Sequence, residues 1–289
     1  METRAKLGVA LLAATMLLGF ASSRSASATS VVVDAVSGAV LSAEAPNHLW
    51  YPASLTKLMT VYVALAEIGA GRLSLADRLT VSARAASVPP VRFGLEAGET
   101  ITVRQAIDAA IVASGNDAAI ALAEKIGGSE QKFAGMMNMT AHSLGMTRTR
   151  FHNATGLPDG DQVTTARDMA ALALALIRDY PQYYPLFNQR KVTIGKRSRG
   201  TVNALLGSYK GADGFKTGFT CGSGYNLVAS AARDGRRVIG VVLGSISRDQ
   251  RARHMTMLLD AGFARITSKD AALPEWRPGS GAPRADFRL

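Results

Sequence analysis

Three short polar segments carry the side chains in this sequence that could do chemistry together. They are Ser-Leu-Thr-Lys at residues 54–57, Ser-Gly-Asn at 114–116 and Lys-Thr-Gly at 216–218. They offer hydroxyls, amines and an amide, with no histidine among them. Such a set could supply a serine nucleophile activated by a lysine, a second serine for proton transfer and a cation that binds a carboxylate. A lone Ser-x-x-Lys is common by chance, whereas three such segments in this order are rare.

The spacing of Ser54 and Lys57 predicts that their side chains meet. An apolar pattern starting at Leu55 favours a helix, and Pro52 ahead of it is tolerated in a first helical turn. Residues three apart share one side of a helix, so the Lys57 amine can reach the Ser54 hydroxyl. The amine is a base only when neutral, which burial and a second cation such as Lys216 would favour. The simpler alternatives are a helix cap at Ser54 and a solvated Lys57.

The other two segments suit a substrate with an amide and a carboxylate. Ser114 could pass a proton to a departing amine, and Asn116 could hold a substrate amide. On a strand, Lys216 and Thr217 can bind a carboxylate, and Gly218 lets a ligand backbone lie close. The alternatives are that the first pair only stabilises a helix break and that the lysine is an ordinary exposed residue.

The surrounding residues predict an α+β fold in which sequence-distant strands form one antiparallel sheet. Turn residues at 37–38 and 234–235 indicate two hairpins, and glycine and asparagine at 115–116 break a long helical pattern in two. Residues 191–203 are basic, polar and rich in turn residues. The predicted strands lie within 29–42 and at 214–220, 225–232 and 237–244. The predicted helices begin near residue 54 and cover 103–126 with its break, 130–144, 165–179 and 248–263.

Composition sets the broad class of the protein. The 289 residues are 47% hydrophobic, which is enough for a large buried core. The single cysteine, Cys221, excludes an internal disulfide and a zinc site built from cysteine pairs, and we expect it to be a small packed residue. The four histidines are scattered, and no P-loop or His-Glu-x-x-His motif occurs, so we expect no metal and no cofactor.

The N-terminus is typical of a secretory signal peptide. Arg4 and Lys6 precede an apolar run at 7–21, and Ala-Ser-Ala at 26–28 fits a cleavage site. We therefore expect residues 1–28 to be removed on export, with a buried helix or an uncleaved anchor as the alternative. The net charge of +11 suits the anionic polymers of a cell envelope or a solvated basic face. Export and a low aromatic content argue against a nucleic-acid partner.

The three segments and their neighbours resemble D-alanyl-D-alanine carboxypeptidases of the low-molecular-weight penicillin-binding class. The matching stretches are Tyr-Pro-Ala-Ser-Leu-Thr-Lys-Leu-Met-Thr at 51–60, Ala-Ser-Gly-Asn-Asp-Ala at 113–118, Asp-Gly-Phe-Lys-Thr-Gly-Phe-Thr at 213–220 and Gly-Tyr-Asn-Leu-Val-Ala-Ser-Ala at 224–231. The similarity covers about residues 29–265. It implies a β-lactamase/transpeptidase-like fold, with an antiparallel sheet flanked by helices and a helical subdomain.

The resemblance also implies a role for each site residue. Ser54 would attack the carbonyl between the two terminal D-alanines of a peptidoglycan stem peptide, with Lys57 as general base. Ser114 would relay a proton to the leaving D-alanine, and the backbone N–H groups of Ser54 and Phe219 would form an oxyanion hole. β-Lactam antibiotics would acylate Ser54 as substrate mimics. The residues implied in substrate binding are Asn116, Lys216, Thr217, Gly218, Phe219 and Arg251, with Arg248 as the alternative to Arg251.

Three alternative functions can be compared with the same residues. A DD-endopeptidase that cuts peptidoglycan cross-links would use the same site. The common serine β-lactamases with these motifs need a glutamate between the second and third motifs, and this chain has none from 131 through 274. A catalytically dead peptidoglycan-binding module is disfavoured because Ser54 and Lys57 are both intact.

The C-terminal residues predict how far the catalytic domain extends. The larger carboxypeptidases that this sequence resembles carry a C-terminal β-rich domain and an amphipathic membrane anchor. Residues 266–289 are instead rich in proline and glycine and predict a loose tail. We expect a catalytic domain at 29–265, no C-terminal β domain, no stable membrane anchor and a periplasmic or envelope-associated location after export.

Overall fold

A five-stranded antiparallel sheet forms the middle layer of the computed structural model, which describes residues 28–267. The expected signal peptide and nearly all of the expected tail therefore lie outside the described residues. The strands of the chain are β1 (Thr29–Asp34), β2 (Val40–Glu44), β3 (Arg78–Thr80), β4 (Thr100–Thr102), β5 (Lys191–Ile194), β6 (Arg197–Gly200), β7 (Ala212–Thr220), β8 (Gly224–Arg233) and β9 (Arg236–Ser245).

Helices surround the sheet and form a separate helical block between β2 and β7. They are α1 (Thr56–Gly69), α2 (Ala83–Ser87), α3 (Val103–Val112), α4 (Asn116–Gly127), α5 (Glu130–Ser143), α6 (Ala166–Asp179), α7 (Leu205–Ser208) and α8 (Arg248–Thr267). Two 3-10 helices, Ala53–Leu55 and Pro181–Asn188, complete the described elements. Among the residues from 28 to 267, no helix combines the length and apolar character that a membrane span requires.

The sheet is closed by strands from the two ends of the described chain. Its order is β2-β1-β9-β8-β7, and β1 pairs with β9 from Thr29↔Leu243 to Asp34↔Val238. The two predicted hairpins, β1–β2 and β8–β9, and the three C-terminal strands are confirmed. Strand β7 lies at the edge of the sheet, so one side of its backbone has no strand partner in the described structure. This free side faces the helical block.

The alternation of side chains along the strands gives the sheet two buried faces. Val32 of β1 packs with Val242 of β9 and with Met255 of α8 on one face. Val31 and Val33 point to the other face and join the large core shared with α1, α3, α4 and α6. This is the period of two expected for strands covered on both sides. The resulting architecture is the α+β arrangement predicted from the sequence.

The predicted break between two helices places the second polar segment at a helix start. Helix α3 ends at Val112 and α4 begins at Asn116, with Gly115 as its N-cap residue. Ser114 has a positive φ of 59°, a conformation that is strained for a non-glycine residue. The break turns the chain sharply, so that Ser114 and Asn116 lie on the edge of the helical block that faces β7.

A buried carboxylate fixes the start of α4. Asp117 is fully buried, and its two oxygens accept hydrogen bonds from the backbone N–H groups of Phe93 (2.9 Å), Gly94 (2.8 Å), Leu95 (3.0 Å) and Ala118 (3.0 Å). Such charge-assisted bonds replace the water that the carboxylate loses on burial. They tie the loop before β4 to the helix that carries Asn116.

We predict that Asp117→Asn destabilises the fold by about 2–3 kcal/mol, because an amide oxygen cannot accept all four N–H groups and the amide nitrogen would face donors. The free energy of unfolding in urea measures this loss. Asp234→Asn makes the same chemical change at an exposed hairpin turn and should alter stability by less than about 0.5 kcal/mol. Equal losses of unfolding free energy in the two variants would contradict the role of Asp117 as a buried hydrogen-bond acceptor.

Candidate active site

Ser54 lies in the middle of the 3-10 helix that leads directly into α1. The sequence predicted a serine at a helix N-terminus, and the structure refines this to a tight turn just ahead of the helix. Ala53 before it has a positive φ of 48°, so the chain bends sharply and leaves the Ser54 side chain half-buried. A serine on such a turn lies close to the free backbone N–H groups at the start of a helix.

Lys57, one turn further along, has a fully buried side chain with three polar neighbours. Its Nζ lies 3.1 Å from Ser54 Oγ, 2.7 Å from Asn116 Oδ1 and 2.6 Å from the carbonyl oxygen of Thr155. The contact with Ser54 confirms the side-chain approach predicted from the spacing. The other two contacts come from α4 and from the loop after α5.

Burial changes the protonation of this lysine. Removal of the amine from water lowers the pKa of Lys57 from the ordinary lysine range to about 7, and the charge of Asp117 opposes part of this shift. A substantial fraction of the amine is therefore neutral near pH 7. A neutral amine beside a serine hydroxyl can act as a general base.

A second lysine meets the second serine. Lys216 on β7 is fully buried, and its Nζ lies 2.9 Å from Ser114 Oγ and 2.8 Å from the carbonyl oxygen of Thr217. Burial lowers the pKa of Lys216 well below its ordinary value, and the charges of Lys57 and Arg251 lower it further. The predicted Ser54–Lys57 pair and the Ser114–Lys216 contact, which the sequence did not predict, are thus neighbours in one site.

Arg251 rather than Arg248 approaches Lys216. Its side chain is buried, Nη1 lies 3.4 Å from the carbonyl oxygen of Asn226, and Nε has no hydrogen-bond partner among the described residues. Burial and the charge of Arg248 lower its pKa. Arg248 is exposed at the first turn of α8. A buried guanidinium with an unused donor is suited to an anionic ligand.

Strand β7 packs directly against the turn that carries Ser54. A Cβ at Gly218 would lie 2.9 Å from the carbonyl oxygen of Pro52, so only glycine allows this approach. Asn226 of β8 fixes the same contact, because its Nδ2 donates to the carbonyl oxygens of Tyr51 (2.9 Å) and Pro52 (3.2 Å) while its Oδ1 accepts from Gly244 N (2.9 Å). No role for Asn226 was predicted from the sequence.

The residues just after the Lys-Thr-Gly segment are more open. Phe219 is 48% exposed, and its ring stacks on that of Tyr225 with centroids 4.3 Å apart. Cys221, predicted to be packed, is exposed. That prediction was wrong because the residue lies in the turn between β7 and β8, which projects from the sheet edge.

The loop from 151 to 163 contributes a partner that the sequence analysis missed. Asn153 Oδ1 accepts from the backbone N–H groups of Thr155 (3.2 Å) and Gly156 (2.7 Å), which directs the Thr155 carbonyl towards Lys57. The only signal for this was the Asn-x-Thr-Gly composition of a turn. A backbone acceptor leaves no signature of its own in the side-chain sequence.

Asn116, predicted to hold a substrate amide, also makes contacts within the protein. Both ends of its amide are used within the protein: Oδ1 accepts from Lys57, and Nδ2 donates to the carbonyl oxygen of Pro89 at 2.8 Å. It is therefore a positioning residue for the lysine in this structure. The other residues expected at the site, from Ser54 to Arg251, converge where β7, α1 and the α3–α4 break meet.

The turn that carries Ser54 makes a close backbone contact with Gly156. A Cβ added there would lie 1.8 Å from the carbonyl oxygen of Ala53, and the φ of +83° is itself unfavourable for other residues. We predict that Gly156→Ala lowers the free energy of unfolding in urea by about 3 kcal/mol. Gly160→Ala, in the same loop with open space around it, should change stability by less than about 1 kcal/mol. Similar losses in both variants would refute the contact.

Comparisons with known proteins agree with this geometry. The family model described as D-alanyl-D-alanine carboxypeptidase, Peptidase S11, matches residues 19–247. D-alanyl-D-alanine carboxypeptidase DacC of Escherichia coli is 40% identical over 240 residues, covering 81% of this chain and 60% of the relative. DacF of Bacillus subtilis is 35% identical over 246 residues, covering 82% of this chain and 62% of the relative. The chain thus spans about three fifths of the length of these curated relatives.

Solved structures show the same fold. Penicillin-binding protein 5 from Haemophilus influenzae has a TM-score of 0.79 at 37% identity, covering 82% of this chain and 70% of that one. Penicillin-binding protein D2 from Listeria monocytogenes, in its ampicillin-bound form, has a TM-score of 0.71 at 31% identity, covering 81% of this chain and 96% of that one. With its fold, its paired serines and lysines and its sequence in agreement, the chain belongs to the D-alanyl-D-alanine carboxypeptidase family, Peptidase S11.

Proposed function

We propose that this protein is a serine-type D-Ala-D-Ala carboxypeptidase that removes the terminal D-alanine from peptidoglycan stem peptides through a Ser54 acyl-enzyme. The observation that carries the proposal is the fully buried Lys57 amine, 3.1 Å from Ser54 Oγ and with a pKa lowered to about 7. Lysine in this state can take the serine proton without a histidine. The family match and the fold support the same reaction.

The contacts of Lys57 orient its lone pair. A neutral amine has two hydrogens, and the oxygens of Asn116 and Thr155 lie at 2.7 and 2.6 Å to accept them. The remaining lone pair then faces Ser54 Oγ, whose hydroxyl donates to it. The proton moves to Lys57 Nζ as Ser54 Oγ bonds to the carbonyl carbon between the two D-alanines. The backbone N–H groups of Ser54 and Phe219 stabilise the oxyanion.

The cationic side of the site binds the leaving residue. Lys216 and Arg251 are both buried on this side of the site, and a carboxylate placed there would offset the burial and the charges of Lys57 and Arg251 that lower the pKa of Lys216. Ser114, in contact with Lys216 at 2.9 Å, gives its hydroxyl proton to the departing amine and regains one through the site from the Lys57 ammonium, which returns Lys57 to its neutral form. The C–N bond breaks, D-alanine leaves, and water then hydrolyses the ester on Ser54.

The free edge of β7 gives the substrate its direction. An extended peptide can pair with an exposed strand through backbone hydrogen bonds, as in other peptide-binding proteins. With its carboxylate at Lys216 and its scissile carbonyl at Phe219, the substrate runs along β7 and its acyl part continues towards Thr220. Gly218 brings this part of β7 close to the turn that carries Ser54.

The proposed reaction has two consequences: β-lactams should react at the same site, and the protein should be located outside the cytoplasm. Ampicillin and cefotaxime are bound in structures of the Listeria relative, and in this protein we expect such compounds to acylate Ser54. The substrate lies outside the cytoplasm, so the function requires export to the periplasm or cell envelope. The basic N-terminus with its apolar run supports export.

The reaction is tested by incubating the protein with a monomeric pentapeptide stem and with a cross-linked dimer, and by identifying the products by mass spectrometry. Loss of one alanine from the monomer is the expected result. Cleavage of the dimer alone would overturn the carboxypeptidase assignment in favour of the endopeptidase alternative.

The nucleophile is tested with a fluorescent penicillin. We predict that Ser54→Ala abolishes covalent labelling, because Ser54 is the serine that lies at the start of α1 beside the Lys57 amine, whereas Ser114 serves in the proposed reaction only to relay a proton. Ser208→Ala, at an exposed serine in α7, should label like the wild type. Equal labelling of the wild type and Ser54→Ala, read by fluorescence after denaturing electrophoresis, would exclude Ser54.

The rate of acylation should depend on pH through Lys57. Its folded pKa is lowered to about 7, so below that pH the amine is protonated and cannot accept the serine proton. We predict that the second-order rate constant for penicillin acylation rises about tenfold per pH unit below about 6.5 and becomes constant above about pH 8. Stopped-flow fluorescence measures this profile. A midpoint near the ordinary lysine pKa would contradict a buried general base.

A further inference from the structure

A β-bulge near the start of β7 sets the direction of the side chains that follow it. Ala212, before the bulge, pairs with Ala231 of β8. Gly214 pairs with Ser230, so two residues of β7 advance by only one residue on β8. Asp213 is therefore the extra residue, and a bulge of this kind shifts the side chains after it to the other face of the strand. The Lys-Thr-Gly segment of the active site follows directly on this bulged part of β7.

The strand register shows what the bulge does for the site. Lys216 lies opposite Val228, whose side chain belongs to the core shared with α1, α3, α4 and α6. If the register before the bulge continued, Lys216 would lie opposite Leu227 instead. Leu227 belongs to the other core, the one covered by α8. The bulge therefore turns the Lys216 amine towards Ser114 and away from α8.

The extra residue carries a carboxylate with partners on three other elements. Asp213 Oδ1 accepts hydrogen bonds from the hydroxyls of Tyr184 (2.8 Å) and Ser230 (2.9 Å). Its Oδ2 pairs with Arg237 Nη1 at 2.6 Å. These partners lie in the second 3-10 helix, in β8 and in β9, respectively. The carboxylate thus joins the bulge to two further strands of the sheet and to a helix.

The three partners of Asp213 also hold one another. Arg237 Nη1 donates to Ser230 Oγ at 2.9 Å, and its guanidinium lies over the Tyr184 ring, 4.6 Å from the centroid. Burial and the charge of Asp213 raise the pKa of Tyr184, so its hydroxyl remains a donor near neutral pH. Gly214 leaves room for this hydroxyl, because a Cβ there would lie 2.8 Å from the Tyr184 oxygen. The network is therefore closed around the carboxylate of the bulge.

We propose that Asp213 is a positioning residue for substrate binding: its network fixes the bulge that directs the Lys216 amine to Ser114 and to the carboxylate of the leaving D-alanine. This inference rests on the carboxypeptidase activity proposed above and adds the residues that keep its carboxylate site in place. Asp213 takes no part in bond making or breaking. Without its network, β7 can relax towards the continuous register, in which the Lys216 amine no longer faces the site.

The test measures how well the enzyme recognises a terminal carboxylate. It compares Nα,Nε-diacetyl-L-Lys-D-Ala-D-Ala with the same peptide ending in a carboxamide, and measures kcat/KM for cleavage of the last peptide bond. The wild type should prefer the acid by about tenfold to a hundredfold, the range expected for a charge-assisted contact. Asp213→Ala should lower this ratio by about fivefold or more, by slowing cleavage of the acid with little change for the amide. Asp213→Asn keeps an oxygen for the two hydroxyls and loses the ion pair with Arg237, so its ratio should be intermediate.

The chain offers a matched control in a second network of the same composition. Tyr209 donates to Asp260 Oδ1 at 2.6 Å, and Arg233 Nη1 pairs with the same oxygen at 3.2 Å while its guanidinium lies over the Tyr209 ring. This network does not include the bulge residue. Asp260→Ala should therefore keep the wild-type ratio. Should Asp213→Ala fail to fold, Tyr184→Phe, with Tyr209→Phe as its control, replaces it and should lower the ratio about twofold to threefold.

Each outcome decides the proposal. A wild-type ratio near one, an unchanged ratio in the variants of the Asp213 network, or the same fall in Asp260→Ala would overturn it. Equal losses on the acid and the amide would also overturn it, because they would assign the network a structural role alone. Failure of the proposed function would appear differently, as no cleavage of either peptide by the wild type. The ratio is then measured from the acylation of Ser54 by benzylpenicillin and by its methyl ester, with the same fall expected in Asp213→Ala.

Discussion

Lys57 places an amine where no water reaches it, and an unpaired ammonium at such a position would be costly. Two features of the fold reduce this cost. Burial lowers the pKa of Lys57, which favours the neutral amine, and the oxygens of Asn116 and Thr155 accept hydrogen bonds from it. These partners come from α4 and from the loop after α5, so the buried amine has these partners only when three distant parts of the chain meet. Asp117 secures the α4 side, and Asn153 secures the loop side.

Close backbone packing brings Ser54 next to the Lys57 amine. Gly156 lies against the carbonyl of Ala53 and Gly218 against that of Pro52, so the turn that carries Ser54 is held between a loop and an edge strand. Neither contact leaves room for a Cβ. Backbone atoms therefore form the contacts on both sides of this turn. This explains why a half-buried serine can lie so near a buried amine without intervening solvent.

Local signals were sufficient to predict much of this architecture. The Asp-Gly turn at 234–235 predicted the β8–β9 hairpin, and glycine and asparagine at 115–116 predicted the break between α3 and α4. The segment 191–203 was described only as polar and turn-rich, and it forms the hairpin β5–β6 followed by the approach to α7. Short strands with exposed basic residues carry too weak an alternation to be recognised.

A site residue could be predicted from the sequence when the type of its side chain determines its role. Prediction was harder when the neighbouring residues in the folded structure determine that role. Ser54, Lys57 and Lys216 could be paired from spacing and chemical need. Asn116 could not be assigned, because an amide serves a substrate and a neighbouring lysine equally well and only the 2.7 Å contact decides. The Thr155 carbonyl had no signal, since every residue carries one.

In the proposed reaction, the charges of the site also orient the substrate. Lys216 lies in the middle of β7, Arg251 is buried near it, and the nearby Asp117 carboxylate accepts hydrogen bonds from four backbone N–H groups. These two basic side chains therefore favour an anion beside β7. Because Gly218, two residues after Lys216, packs against the turn that carries Ser54, an extended peptide with its terminal carboxylate at Lys216 must continue towards Gly218 for its scissile carbonyl to reach Ser54 in the proposed reaction.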